Sequence, residues 1–577
     1  MGVKSGANYR ECAAAAAVSR QGRKVDWKDM QKPRNPLRFP WLTLAASLCV
    51  LASASAQSQP ARGLCRTTIL ASGLSDPTQM AFRPDGRIYI LSKEGAIHLL
   101  DPKTGQTTPA GTLPASNVRE DGLHSLVLDP AFQTNQRVFI LFGTLTPAPS
   151  IVVARFAALA AGAIDVASRK DLLSVPYSLG AADEHNTGCL AFGPDGNLYI
   201  GLADNTKNIF SGTGTGYAPR DPTRPDYDAQ RSAANSNDLR RKILRIHPEE
   251  DGTYTVPAGN LFAPGTAKTR PEIFAMGLRH PFRITVDAKT GWLFWAEPGP
   301  NAMADKADMG PRGYDEVNLA KDAGYYGWPY CVGNNFCYPA LDYATGNAGA
   351  TYDPAALSNT SANNTGIAKL PAARPALIWY PYNSTGSAFP IFGSGSTNTS
   401  MLGPVYRFDA TLASPNKLPR YFDGHLFIFD FSRSLIHAVQ VDDAGKLVEV
   451  KRFWDQTTTN PIANPIDAKI GPDGALYFLG WGDNGAYPHN AGHGNLVKLD
   501  YTGPADPVGV AVGPRAHRAD WSMLAPRSTW KPAAACRSAE AFDPQGRKIW
   551  SWVKAGRLPQ GHPGVLRVRA IGAGAGV

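Results

Sequence analysis

The chain has 577 residues, 43% hydrophobic and 18% charged, a globular composition that excludes a disordered polymer and is too long for one small core. The formal charge of +10 excludes less than it suggests: residues 1–56 hold nine Lys/Arg against three Asp/Glu, so the rest of the chain carries only about +4. No basic cluster interleaved with aromatics marks a nucleic-acid partner, and 57 Gly with 47 Pro predict many turns and few long helices.

Residues 1–29 match neither a targeting segment nor a folded element. They read as a mis-assigned start ahead of Met30 or as an extended n-region. Residues 30–56 have the pattern of a secretory signal: Lys32, Arg34 and Arg38 form a basic front, Trp41–Ala52 is an apolar run too short to favour a membrane span, and Ala54-Ser55-Ala56 is a small-residue cleavage site. Cleavage after Ala56 predicts a secreted or periplasmic protein with no transmembrane segment in its mature form.

A turn-and-strand phrase then repeats. Copies start at Met80 (MAFRPDGRIYILSKEGAIHLLD), Leu126 (LVLDPAFQTNQRVFILFG), Leu190 (LAFGPDGNLYIGLAD), Ile284 (ITVDAKTGWLFWAEPG), Gly403 with Tyr421 (GPVYRFD, YFDGHLFIFDF) and Ala468 (AKIGPDGALYFLGWGD). Each joins an apolar strand, a Pro/Asp/Gly turn and a strand of alternating aromatic and aliphatic residues. About six such units predict an all-β, six-bladed propeller over residues 57–503, with long loops on one face. A large sandwich or two separate β domains is the competing architecture. The long loops are 205–236 and 331–399, the second carrying Trp379, Tyr380 and Tyr382, which read as packing within the insertion or as a platform for sugar rings. The ring ends near 494–501. Residues 504–532 read as a Pro/Ala/Arg-rich linker, and AFDPQGRKIWSW and VLRVRA as strands of a small C-terminal β extension within 504–577.

Of the seven cysteines, Cys12 and Cys49 precede the cleavage site. Cys331 and Cys337, separated by VGNNF, are the favoured disulfide, Cys65–Cys536 is a conceivable one, and Cys189 reads as a buried thiol. No CxxC or Cys/His spacing suggests zinc, and no CxxCH suggests haem. His489 and His493 (HNAGH) read as surface residues.

His185 precedes the strand of the Leu190 unit, so a titratable imidazole stands where a hairpin begins. An imidazole there can take a hydroxyl proton near neutral pH; the structural alternative is a bond to a loop carbonyl. The segments IFAMGLRHPFRITVDAKTGWLFWAEPGP from Ile273, GPRGYDEVNLAKDAGYYGWP from Gly310, EDGLHSLVLDPAF from Glu120 and the His185 hairpin together resemble the glucose/sorbosone dehydrogenase family across about residues 66–500. That family consists of exported six-bladed propellers that oxidise sugars with pyrroloquinoline quinone (PQQ) and calcium.

The resemblance implies a role for each matching residue. His185 falls on the catalytic base, although the family phrase His-x-Gly-Gly-Arg here reads His185-Asn186-Thr187-Gly188-Cys189. Arg279 and His280 fall on an Arg-Asn pair facing the quinone, where a guanidinium fork suits carboxylates and developing negative charge. Glu120 falls where some relatives have a glutamine near cofactor and substrate, or else caps Asp121-Gly122. Gly299-Pro300 fall on the carbonyls that hold calcium, with Gly310-Pro311 a second match beyond the insertion NAMADKAD. Asp315, Glu316 and Tyr326 resemble a second, structural calcium site. A lysine and two arginines that grip the cofactor from the last blades are not matched; Arg433 and Lys469 lie only nearby in sequence.

The expectation is a PQQ- and calcium-dependent dehydrogenase that oxidises a sugar or other alcohol and passes electrons to an external acceptor. The alternatives are a non-catalytic carbohydrate- or protein-binding propeller, or a calcium-dependent lactone hydrolase on the same scaffold.

Overall fold

The Pro-Asp-Gly phrases fold as tight turns because each residue type supplies one requirement. At Pro194-Asp195-Gly196 the glycine takes φ +75°, Asp195 Oδ1 accepts the Asn197 N–H at 3.2 Å, and Gly193 N–H donates to Asn197 O at 2.9 Å. The same Asp-to-backbone bond closes the turns at Asp85-Gly86 and Asp473-Gly474. Each turn returns an inner strand to the next one outward, and repetition builds the blades.

The structure is a computed structural model that describes residues 65–177, 185–203, 206–207, 216–395, 399–454, 461–482, 491–503, 520–524, 536–542, 548–553 and 566–572. The expected signal segment 30–56, residues 1–29 and His489 lie outside the described residues. Six sheets follow in chain order, antiparallel but for one parallel pair, Ile273–Met276 with Gly324–Tyr325, at the outer edge of the third. Their innermost strands are Pro77–Phe82, Leu123–Leu128, Gly188–Phe192, Arg283–Val286, Ser400–Val405 and Pro465–Ile470. Each inner strand contacts the next, and the sixth contacts the first, so the sheets form a closed six-bladed propeller. Closure is also made outside the axis. Blade six takes its outermost strand, Cys65–Leu74, from the start of the ring, paired antiparallel with Gly494–Tyr501. Separate apolar clusters fill the seams between neighbouring blades, as Phe139, Leu190 and Leu244 do between blades two and three, and Trp295, Ile284 and Cys189 between blades three and four.

The two long insertions carry defined structure among the described residues. The first, between the second and third strands of blade three, contains short 3-10 turns at Pro225–Tyr227 and Ala229–Arg231. The second forms two small hairpins, and its Asn359 donates to Gln230 O and Ala234 O of the first at 2.8 and 3.0 Å. Cys331 and Cys337 are disulfide-bonded, and Cys189 is a buried thiol. Cys65 is also a free thiol. Tyr380 stacks on Phe392 and donates to Asp430 at 2.9 Å, while Trp379 packs edge-on against Phe389, so these two rings serve packing of the insertion.

Beyond the ring, a four-stranded antiparallel sheet joins Asp520–Leu524, Leu566–Gly572, Cys536–Phe542 and Lys548–Val553. The first of these strands lies within 504–532, the stretch read as a linker. Its ladder partner is Leu566–Gly572, well downstream, a pairing that local composition does not reveal. No helix among the described residues is long and apolar enough to cross a membrane.

Arg283 ties the inner strands together. It is 2% exposed; its Nε donates to Ile466 O at 2.9 Å in blade six, its Nη2 donates to Thr78 O in blade one, and Asp467 lies 3.7 Å away. Arg283→Leu should therefore cost about 3–5 kcal/mol in denaturant unfolding, because it removes the donor to two buried carbonyls and leaves the buried Asp467 carboxylate only Lys469 and the Met80 N–H. Adding Asp467→Asn should recover part of that loss. A single variant as stable as wild type would show that the arginine is not a closure element.

Candidate active site

The chain enters blade three through His185-Asn186-Thr187-Gly188. Gly188 permits this approach, since a Cβ there would stand 2.7 Å from both Gly201 O and Leu141 Cδ1. His185 sits at φ +66°, a left-handed conformation that a non-glycine residue adopts at a cost, and it is 6% exposed. Its backbone N–H is held at 2.8 Å by Glu120 Oε2, from the connection between blades one and two. His280, from the connection between blades three and four, completes the group. Its ring centroid is 4.4 Å from that of His185, and its Nε2 is 2.6 Å from Thr187 Oγ1. The Nδ1 atoms of both histidines are buried and make no hydrogen bond.

Burial, reinforced by the charge of Arg279, holds both imidazoles well below the ordinary histidine range. Each is consequently a neutral ring with a lone pair to offer. Arg241, 1% exposed at the entry to a blade-three strand, adds a second positive charge acting on both. His124, buried nearby, is pushed down to about 3, chiefly by desolvation.

Arg279 and His280 are adjacent, and Glu297 Oε2 accepts both backbone N–H groups, at 2.5 and 2.9 Å. Arg279 links the two parts of the pocket, since its charge acts on both imidazoles. Its Nη1 donates to Pro298 O at 3.0 Å, and it lines a narrow crevice with Glu297, Pro298, Gly299, Pro300, Tyr314, Glu316 and Trp328. Gly299 and Gly313 allow two segments to touch here: a Cβ on Gly299 would lie 1.9 Å from Tyr314 O, and one on Gly313 would lie 1.5 Å from Pro300 O. Glu297 and Glu316 face each other across paired strands. Glu316 accepts from Gly333 N–H at 2.5 Å and Asn318 Nδ2 at 3.1 Å. Burial, with repulsion from Glu297 added at Glu316, raises both above the ordinary carboxylate range.

The predicted site residues thus form two groups joined by the Arg279-His280 dipeptide. Glu120, His185 and His280 make one; Arg279, Gly299, Pro300 and Glu316 share the other. Of the residues expected at a second calcium site, Glu316 lines this crevice, while Asp315 and Tyr326 do not. Asp315 points to the opposite face of its strand from Glu316, where its carboxylate accepts from Gly299 N–H at 2.8 Å and Ser400 N–H at 2.6 Å. Tyr326 donates to Leu319 O at 3.3 Å and packs edge-on against Trp295, away from the crevice. The last-blade cations are spent elsewhere: Arg433 donates to the carbonyls of Phe392, Gly393, Pro381 and Tyr382, and Lys469 pairs with Asp467 at 3.4 Å. His493 is exposed. Sequence reading missed Arg241, whose only signal is a basic run at a strand entry, and Glu297, which stands two residues before Gly299.

Fold and site together define a six-bladed β-propeller with a buried, charged pocket assembled from the connections between blades. The family profile described as Glucose / Sorbosone dehydrogenase matches residues 74–374, and the chain belongs to that family. It is 23% identical over 275 residues to quinoprotein glucose dehydrogenase B of Acinetobacter calcoaceticus, covering 46% of this chain and 52% of that protein. It is 29% identical over 167 residues to HIPL1 protein of Arabidopsis thaliana, covering 27% of this chain and 20% of that protein. The match therefore spans between a fifth and about half of those relatives' lengths. The crystal structure of the soluble aldose sugar dehydrogenase from Escherichia coli in the apo-form superposes with a TM-score of 0.50 at 19% identity, covering 76% of this chain and 99% of that one, which shows the shared fold.

Burial, then the nearby Asp430, pushes Asp315 up to about 8. The folded state then keeps a proton that the unfolded chain releases near pH 4, so the folded state binds more protons across the interval between those values. In calcium-free buffer, the contribution of Asp315 to stability should fall as pH rises from about 4 to about 8. Asp315→Asn should flatten that slope in melting temperatures measured across the range; an unchanged slope would assign the dependence to other groups.

Proposed function

We propose that the protein is an exported quinoprotein oxidoreductase that oxidises a sugar or related alcohol with PQQ and calcium. The observation that carries this reading is the convergence of a neutral, buried His185 with Arg279 and the Gly299-Pro300 turn, three elements far apart in sequence. Family membership supports oxidoreductase chemistry in general; the substrate, calcium and export are the proposed part.

The donor sets fit the two groups. Carboxylate and carbonyl oxygens around Gly299, Pro300 and Glu316 are the hard ligands calcium takes. Arg279 would hold a polycarboxylated quinone through charge-assisted hydrogen bonds. When bound, PQQ supplies a hydride acceptor. The chain's own residues do the rest. His185 presents an uncharged lone pair and takes the hydroxyl proton of the substrate. Arg279 is fixed in direction by Pro298 O, so its charge is preorganised rather than recruited. The low exposure of the imidazoles excludes water from the proton acceptor. Electrons leave to an external acceptor.

A second reading, a propeller that binds carbohydrate or protein without turnover, is favoured by one observation: Arg433 and Lys469 are committed to backbone carbonyls and Asp467, so neither replaces the missing grip from the last blades.

Protein incubated with PQQ and Ca2+ should reduce a redox dye with aldoses. His185→Ala should lower kcat by about 10²–10⁴-fold while retaining the wild-type melting temperature. Dye reduction that survives in that variant would remove His185 from the chemistry, and aldose binding with no dye reduction in wild type would favour the second reading.

A further inference from the structure

Glu120 and His280, from two different interblade connections, each bring a metal-ligating side chain to His185. One donor atom from each of Glu120, His185 and His280 lies within 4.8 Å of the other two. Zinc bonds of about 2.0–2.1 Å give donor separations of about 3.4 Å in a tetrahedron, so side-chain shifts of about 1 Å would close the set.

We propose that Glu120, His185 and His280 form a site for a divalent transition metal of the Zn2+ class, distinct in chemistry from the hard-oxygen crevice at Gly299, Pro300 and Glu316. Two imidazoles and one carboxylate are a borderline donor set that selects such ions over calcium. The buried Nδ1 atoms of both histidines make no hydrogen bond, an arrangement that costs free energy unless something binds there. The surroundings also have the form of a ligand-orienting outer layer. With the His280 proton on Nε2 and donated to Thr187 Oγ1 at 2.6 Å, the Nδ1 lone pair is left for the metal. Glu120 is oriented by the His185 backbone N–H at 2.8 Å. Arg279 and Arg241 oppose the dication, which makes Glu120 the decisive counter-charge. The proposal deepens the reading above in one respect that rests on it: a metal on His185 occupies the lone pair that takes the substrate proton, so the ion inhibits turnover.

The test uses the full chain, stripped of metal, with Co2+ alone as the probe, followed by its visible absorption, and Zn2+ as competitor. One Co2+ per chain should bind with a tetrahedral-type spectrum, be displaced by Zn2+ and resist excess Ca2+. His280→Asn should abolish the band, and Glu120→Gln should weaken binding about tenfold or more. Zn2+ should raise the melting temperature of wild type but not of His280→Asn, whose melting temperature without metal should match wild type. Absence of the band, a band unchanged in His280→Asn, or one lost instead in His489→Ala would overturn the proposal. Because no quinone or sugar is present, this result stands or falls separately from the dehydrogenase assay.

Discussion

Closure of the ring is the constraint on which the site depends. Glu120, His185 and the Arg279-His280 pair belong to three different interblade connections, and no local interaction would hold them together. They meet because six twisted sheets close around an axis and fix where each connection must lie. Two devices secure that closure. Outside, strand Cys65–Leu74 completes the sheet of the last blade. At the inner strands, Arg283 joins blade four to carbonyls of blades one and six. Non-local pairing of this kind carries a loop-closure cost that only the packed blade seams offset.

Once assembled, the pocket works through low dielectric. The same burial drives the imidazoles toward neutrality and the carboxylates toward protonation, since in both cases the charged form is the one penalised. The result is two chemically different groups joined by Arg279-His280: nitrogen donors at His185 and His280, and oxygen donors around Gly299, Pro300 and Glu316. The left-handed backbone at His185 is part of this arrangement. Its strain is tolerated because Glu120 and the close packing at Gly188 determine the position.

Much of the architecture was legible in the sequence because its signals are local. Pro-Asp-Gly turns followed by alternating strands located the inner hairpin of the blades, and the order of those units implied a ring. Strand Cys65–Leu74 was not legible as part of the last blade, and Asp520–Leu524 was not legible as a strand, because their partners are distant in the chain. The site divides the same way. His185 and Arg279 stood out through short motifs, whereas Arg241 and Glu297 matter only through neighbours brought by the fold. Asp315 and Glu316 illustrate a signal that was present: adjacent residues on a strand face opposite ways, so one site cannot take both side chains.

The central claim is that the convergent pocket binds a quinone through Arg279 and its neighbours, with oxygen ligands at Gly299-Pro300 holding calcium. Absorbance titration of the full chain with PQQ, with and without Ca2+, tests it most directly. The account predicts saturable binding of one PQQ per chain that tightens with Ca2+ and is lost in Arg279→Ala. Failure of wild-type protein to perturb the PQQ spectrum, or binding indifferent to both Arg279 and Ca2+, would contradict it.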